Sequence, residues 1–161
     1  VTVLQDHSCI SCHSTRDAAD TVRIPDAQLE LGNLPSGQQA EHLVSYRELM
    51  FTDVEQELVD GALLDKLVQA TDGAGNLLFE TDDMGNLVLD ADGNPLPIMV
   101  TIPVPPVMSV NGAQVSARFF APFANGGSHF NYLQPAELRL ISEWLDIGAQ
   151  YYNNPFAVPQ N

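Results

Sequence analysis

The pentapeptide Cys9-Ile10-Ser11-Cys12-His13 constrains this chain more than any other feature. Two residues between the cysteines set the thiols about one helical turn apart, and the next residue brings an imidazole beside them. That spacing suits the covalent attachment of one haem c, with Cys9 and Cys12 adding to its two vinyl groups and His13 as the proximal ligand of the iron. A zinc site would need a second pair of ligands at similar spacing, and a dithiol redox motif would need a preceding strand in a parallel sheet. Neither pattern is present. The chain has no other cysteine, so this use of the motif leaves none for a structural disulfide. Covalent haem attachment takes place outside the bacterial cytoplasm, which points to a periplasmic or extracellular setting.

The second axial position decides the chemistry. A methionine sulfur raises the reduction potential, a second histidine leaves it lower, and an open position admits small molecules. Three further histidines and four methionines are available to fill it. His129 lies in Gly126-Gly127-Ser128-His129-Phe130, a flexible loop before the terminal helix, and is the expected distal ligand. Met108, after the segment containing Pro103, Pro105 and Pro106, is the alternative, with core packing as its non-ligand reading. His42 beside Glu41 reads as a solvated or capping histidine. His7 reads as packing near the haem edge or reaching a neighbour's site, and Met50, Met84 and Met99 as ordinary packing. With the iron six-coordinate, no substrate reaches it, and no other residues form a catalytic constellation. The expectation is an electron carrier or relay rather than an enzyme. A haem enzyme with an open distal site, and a subunit of a multi-haem conducting assembly, are the alternatives.

The fold expectation is a single, mainly α, cytochrome c-like domain over 1–161 with a small antiparallel β insertion. Leu43, Tyr46, Leu49 and Met50 recur at helical steps, and Val54, Leu58, Leu63, Leu67 and Val68 suggest a second helix after a break near Phe51 to Asp53. Between 72 and 102, short apolar runs alternate with Gly75-Asn76, Gly85-Asn86 and Gly93-Asn94, which predicts an acidic β-meander over about 75–102. A helix returns around Ser116 to Phe123. The last begins at Pro135, carries Glu137 in its first turn, closes near Gly148, and places Leu138, Ile141, Trp144 and Leu145 on one face. Residues 150–161 read as a surface tail. The chain reads as a mature soluble protein or as the C-terminal part of a longer one.

Charge bears on partners: 21 Asp and Glu against 6 Lys and Arg give a net −15. Nucleic acid is thereby disfavoured; the field suits a redox partner with a basic docking surface and equally suits mere solubility, and self-assembly is a further option. No run approaches the ~18 apolar residues of a membrane span. Asp90, Asp92 and Asn94 supply closely spaced oxygens of the kind calcium uses, but the bidentate Glu of a full calcium loop is missing, so metal-free hairpin turns are the preferred reading.

Several motifs together resemble a known family. They are Cys9-Ile10-Ser11-Cys12-His13, Ser45-Tyr46-Arg47-Glu48-Leu49, Ser116-Ala117-Arg118-Phe119-Phe120, Gly127-Ser128-His129 and the closing run from Leu133 to Tyr152. The chain is similar to the C-terminal haem domain of hydrazine synthase alpha subunit-like proteins, and more loosely to planctomycete-type cytochrome c domains. The resemblance implies a monohaem domain that relays electrons, often at the end of a longer secreted chain. It carries the haem motif onto Cys9, Cys12 and His13. The family position before the last helix, which holds His or Met, falls on His129, which favours bis-histidine ligation. Hydrazine chemistry is not implied, because nothing here corresponds to the other domains of such an enzyme.

Overall fold

The computed structural model describes residues 7–151, which form two compact units. One comprises the chain up to Asp53 together with the chain from Pro105 onward; the other is Val54–Val104.

The first unit opens with a single 3-10 turn, Cys9–Ser11, followed by a small hairpin closed by an Arg16–Val22 bridge. At the hairpin tip, Asp17 accepts the amides of Ala19 and Thr21 at 2.8 and 2.9 Å, which ties off a turn that has few other constraints. Three α-helices follow: α1 (Val44–Met50), α2 (Ala117–Phe120) and α3 (Pro135–Asp146). Proline at the first position of α3 has no amide to leave unpaired. The backbone N–H of Gln134 donates to Glu137 Oε2 at 2.7 Å, closing one orphan donor of the helix start. At the other end Gly148 takes φ 88°, a left-handed conformation that costs glycine little. Leu145 is fully buried, with Leu138, Ile141 and Trp144 packed against the same core, as the spacing predicts. Leu31, Leu49, Met50, Met108, Phe119, Leu133 and Ala149 complete that core.

The second unit has no helix. Strand β1 (Asp53–Val54) pairs with β6 (Pro103–Val104), β2 (Gln56–Val59) with β3 (Ala62–Asp65), and β4 (Leu67–Gln69) with β5 (Met99–Thr101). Between β4 and β5 come three hairpin turns of one design. In each, an Asp carbonyl accepts the amide of the Gly three residues on, at 2.9 to 3.1 Å, for the pairs Asp72 and Gly75, Asp82 and Gly85, and Asp90 and Gly93. The glycines take φ 83 to 85°, so each is a type I turn followed by a left-handed bulge residue. The Asp carboxylate then accepts two backbone amides of its own turn, Ala74 and Asn76 in the first and Asp92 and Asn94 in the third. Segments between the turns are joined in closed cycles: Ala70 donates to Ile98, Ile98 to Leu78 and Leu78 to Ala70, at 2.8 to 3.1 Å. Glu80, Leu96 and Val88 form a second such cycle at 2.9 to 3.0 Å.

The expectation of a mainly helical protein is therefore corrected. Helical residues, single turns included, are 24% of the described chain and extended ones 21%. The second expected helix is absent, and Val54, Leu58, Leu63, Leu67 and Val68 lie on strands. Asp60-Gly61 is the reason: both residues take positive φ, 50 and 81°, making the two-residue turn that matches strand twist. Leu58 then faces Leu63 across the ladder, so a spacing that resembles a helix period is a hairpin register. The expected meander lies within the second unit, Val54–Val104. Of the expected surface tail, 152–161 lies outside the described residues. No described helix is long and apolar enough to cross a membrane.

Gly61→Val tests the hairpin. A branched side chain at that φ costs about 1–2 kcal/mol, so amide exchange of Glu57 to Leu64 should accelerate while that of α3 stays unchanged; unchanged protection in the hairpin would contradict the assignment.

Candidate functional site

The Cys9–Ser11 turn is continued by the amides of Cys12 and His13, which both donate to the carbonyl of Cys9 at 3.3 and 3.0 Å. The two thiols and the imidazole thus leave a single turn of backbone. Cys12 is exposed and Cys9 half-buried, and burial raises the Cys9 thiol above its ordinary value. So short a turn holds itself poorly, and the segments beyond it supply the restraint. Arg23, returned by the small hairpin, donates through Nε to the Ser14 carbonyl at 3.0 Å and through Nη2 to the Ser11 carbonyl at 2.6 Å. The amide of Asp26 donates to the Cys12 carbonyl at 3.1 Å and that of Leu31 to the His13 carbonyl at 2.8 Å.

His13 Nδ1 lies 2.9 Å from the carbonyl oxygen of Asp26. A carbonyl only accepts, so Nδ1 carries the proton and Nε2 presents its lone pair. This is the arrangement that orients a histidine ligand and raises its basicity.

The residue facing His13 is His129, with ring centres 6.0 Å apart and planes inclined by 32°. Its loop leaves the turn after α2. The His129 amide donates to the Pro122 carbonyl at 2.8 Å, and its Nδ1 is 2.8 Å from Ser128 Oγ. Phe123 and Tyr132 stand on either side in sequence, each with its ring centre 5.6 Å from that of His129. The loop approaches the turn after α2 so closely that a Cβ on Gly127 would clash with the Pro122 carbonyl. Glycine is therefore required there by contact, where the sequence suggests only flexibility.

The spacing can be compared with what a shared metal requires. Metal–imidazole bonds are about 2.0–2.1 Å; adding about 1.1 Å from nitrogen to ring centre on each side gives roughly 6.3 Å. The observed separation is close to that value. Cys9, Cys12, His13 and His129 are the residues that would hold a c-type haem, two by thiol sulfur and two by imidazole nitrogen.

The remaining candidates are placed elsewhere. Met108 is buried in the core, its amide donating to the Leu49 carbonyl at 2.9 Å, and no contact described brings it to His13. His42 is not a solvated histidine: its ring is 5.0 Å from Tyr46 and 4.7 Å from Tyr151, within an aromatic cluster. His7 pairs with Glu137 at 2.7 Å, linking the segment before the motif to the start of α3. Hydrogen bonds from the Gln134 amide and from His7 hold the Glu137 carboxyl below its usual range. Asp90 accepts from the amides of Asp92 and Asn94, and no group of three or more His, Cys, Asp or Glu gathers to hold a metal ion among the described residues. Comparison with protein-family models, curated proteins and solved structures found no match.

Glu48 on α1 lies behind the motif segment: its carboxylate accepts the Glu30 amide at 3.5 Å, and Glu30 in turn accepts from the amides of Thr15 and Gly32. Burial, with Asp53 hydrogen-bonded beside it, pushes Glu48 up to about 8 from 4.5. Between these values the folded chain keeps a proton that the unfolded chain releases, so this carboxyl's contribution to stability falls as pH rises through that interval. Urea unfolding at intermediate pH values should show this decline in the wild type and its loss in Glu48→Gln; equal slopes would refute the assignment.

Gly127→Ala should be destabilising by about 1–3 kcal/mol through overpacking against the turn after α2, with His129 displaced. A variant as stable as wild type, with the His129 imidazole resonances unchanged, would show that the loop has room.

Proposed function

We propose that the chain is a monohaem c-type electron-transfer domain working in a periplasmic or extracellular compartment. The observation that carries this reading is the facing of His13 and His129 at 6.0 Å beside the only two cysteines of the sequence. Haem bound here supplies one-electron chemistry at its iron. Cys9 and Cys12 would hold the group covalently, each thiol S–H adding across one vinyl group to leave a thioether. His13 offers Nε2 from one side because its Nδ1–H is held by Asp26. His129 would supply a second imidazole to the same iron, and an iron so held would leave no position for a substrate, which favours electron relay over catalysis. Phe123 and Tyr132 pack beside the His129 imidazole, each with its ring centre 5.6 Å away.

The resemblance to haem domains of hydrazine synthase alpha subunit-like proteins agrees with this role and contributes no reaction of its own.

The reading is tested by optical and low-temperature paramagnetic resonance spectra of the oxidised protein beside His129→Ala. The wild type should be low-spin without a sulfur-to-iron charge-transfer band, and the variant high-spin. A low-spin spectrum indifferent to the substitution would assign the distal position to another residue; a high-spin wild type would indicate an open iron and displace the electron-relay reading.

A further inference from the structure

The Val54–Val104 unit differs from the rest of the chain in charge and in packing. It holds ten Asp and Glu against Lys66 alone, a net −9 of the chain's −15. Lys66 is already paired with Glu55. No residue of the unit is fully buried. Leu63, Leu96, Ile98 and Ile102 are half-buried, while Leu64, Leu67, Met84, Leu77, Leu87 and Leu89 are each more than half exposed. Scattered exposed aliphatics are ordinary on a domain that also has a core, but this unit is held by turns and ladder hydrogen bonds, with no core to enter.

Charge decides what suits that surface. A second copy would bring −9 against −9, and an anionic lipid surface or a nucleic acid would be repelled likewise. A basic protein has the complementary sign, and aliphatic side chains among carboxylates match the mixture of apolar contact and polar rim found at protein interfaces. The turn carboxylates of Asp72, Asp82 and Asp90 are hydrogen-bonded within their own turns. Glu80, Asp83 and Asp92 are exposed. These three can steer a partner without any change to the turns.

We infer that the Val54–Val104 unit is a docking surface for a basic partner protein; that this partner exchanges electrons with the chain rests on the function proposed above. The probe is a lysine-rich basic cytochrome c, mixed with the full haem-loaded chain at low salt. Association is followed by stopped flow, and the contact surface by amide shifts of the isotope-labelled chain. Glu80→Gln/Asp83→Asn/Asp92→Asn should slow association about tenfold at low salt, and the difference should vanish at high salt. Asp20→Asn/Glu41→Gln/Glu143→Gln, with the same change in net charge in the other unit, should slow it less than twofold. Leu77→Ser/Leu87→Ser should speed dissociation and leave association unchanged. Equal slowing by the two charge variants, or shifts confined to residues outside 54–104, would overturn the inference. Reduction of the haem by ascorbate is followed separately: a haem that ascorbate cannot reduce would defeat the electron-transfer reading, while the binding measurements would still decide the docking surface.

Discussion

Two imidazoles from distant parts of the sequence face each other with ring centres 6.0 Å apart, and much of the first unit maintains that distance. Neither histidine stands on a long regular element. His13 follows one turn of 3-10 helix and depends on the Asp26 carbonyl, on Arg23 and on the amides of Asp26 and Leu31. His129 depends on the contact of Gly127 with the turn after α2 and on the hydrogen bond its own amide donates to the Pro122 carbonyl. Short pieces of backbone with interlocking hydrogen bonds thus do what helix packing does in larger proteins. The His7–Glu137 pair extends the same arrangement, joining the motif segment to the first turn of α3. Because the restraints come from separate segments, the site is a property of the folded unit and not of the pentapeptide alone.

The second unit solves a different problem. With little apolar burial available, it relies on a repeated turn in which the Asp carboxylate, the Gly at positive φ and the following Asn each satisfy a specific backbone requirement. Hydrogen bonds from the side chain and amide of Asn76 and of Asn86, and from the Asn94 amide, hold the carboxyls of Asp72, Asp82 and Asp90 below their ordinary range, so the turns keep their negative charge at mildly acidic pH with a wider margin than free carboxylates. A structural device and an electrostatic surface are therefore one feature. Of the oxygens that resemble calcium ligands in the sequence, Asp90 Oδ1 accepts the amides of Asp92 and Asn94.

The legibility of these features in the sequence follows from their range. Elements set by local chemistry are readable: the Cys9–His13 spacing, the proline start and apolar face of α3, and the Gly-Asn turns between 75 and 94. The segment 54–69 misleads because the spacing of its leucines suits both a helix and a hairpin, and Asp60-Gly61 was the deciding signal. The supports of the site are least readable. The Asp26 acceptor is a backbone carbonyl, which any residue would carry; Arg23 looks like one of six basic residues; and His7 and Glu137 are 130 positions apart. Gly127 is visible as a glycine, but its reason, contact with the Pro122 carbonyl, exists only in three dimensions.

The most direct test of the central claim is a crystal structure of the haem-loaded protein with anomalous data collected at the iron absorption edge. The account requires one iron between His13 and His129, within bonding distance of Nε2 of each, and continuous density from the haem to the sulfurs of Cys9 and Cys12. An iron bonded to another residue on the distal side, or His129 turned away from it, would contradict the account.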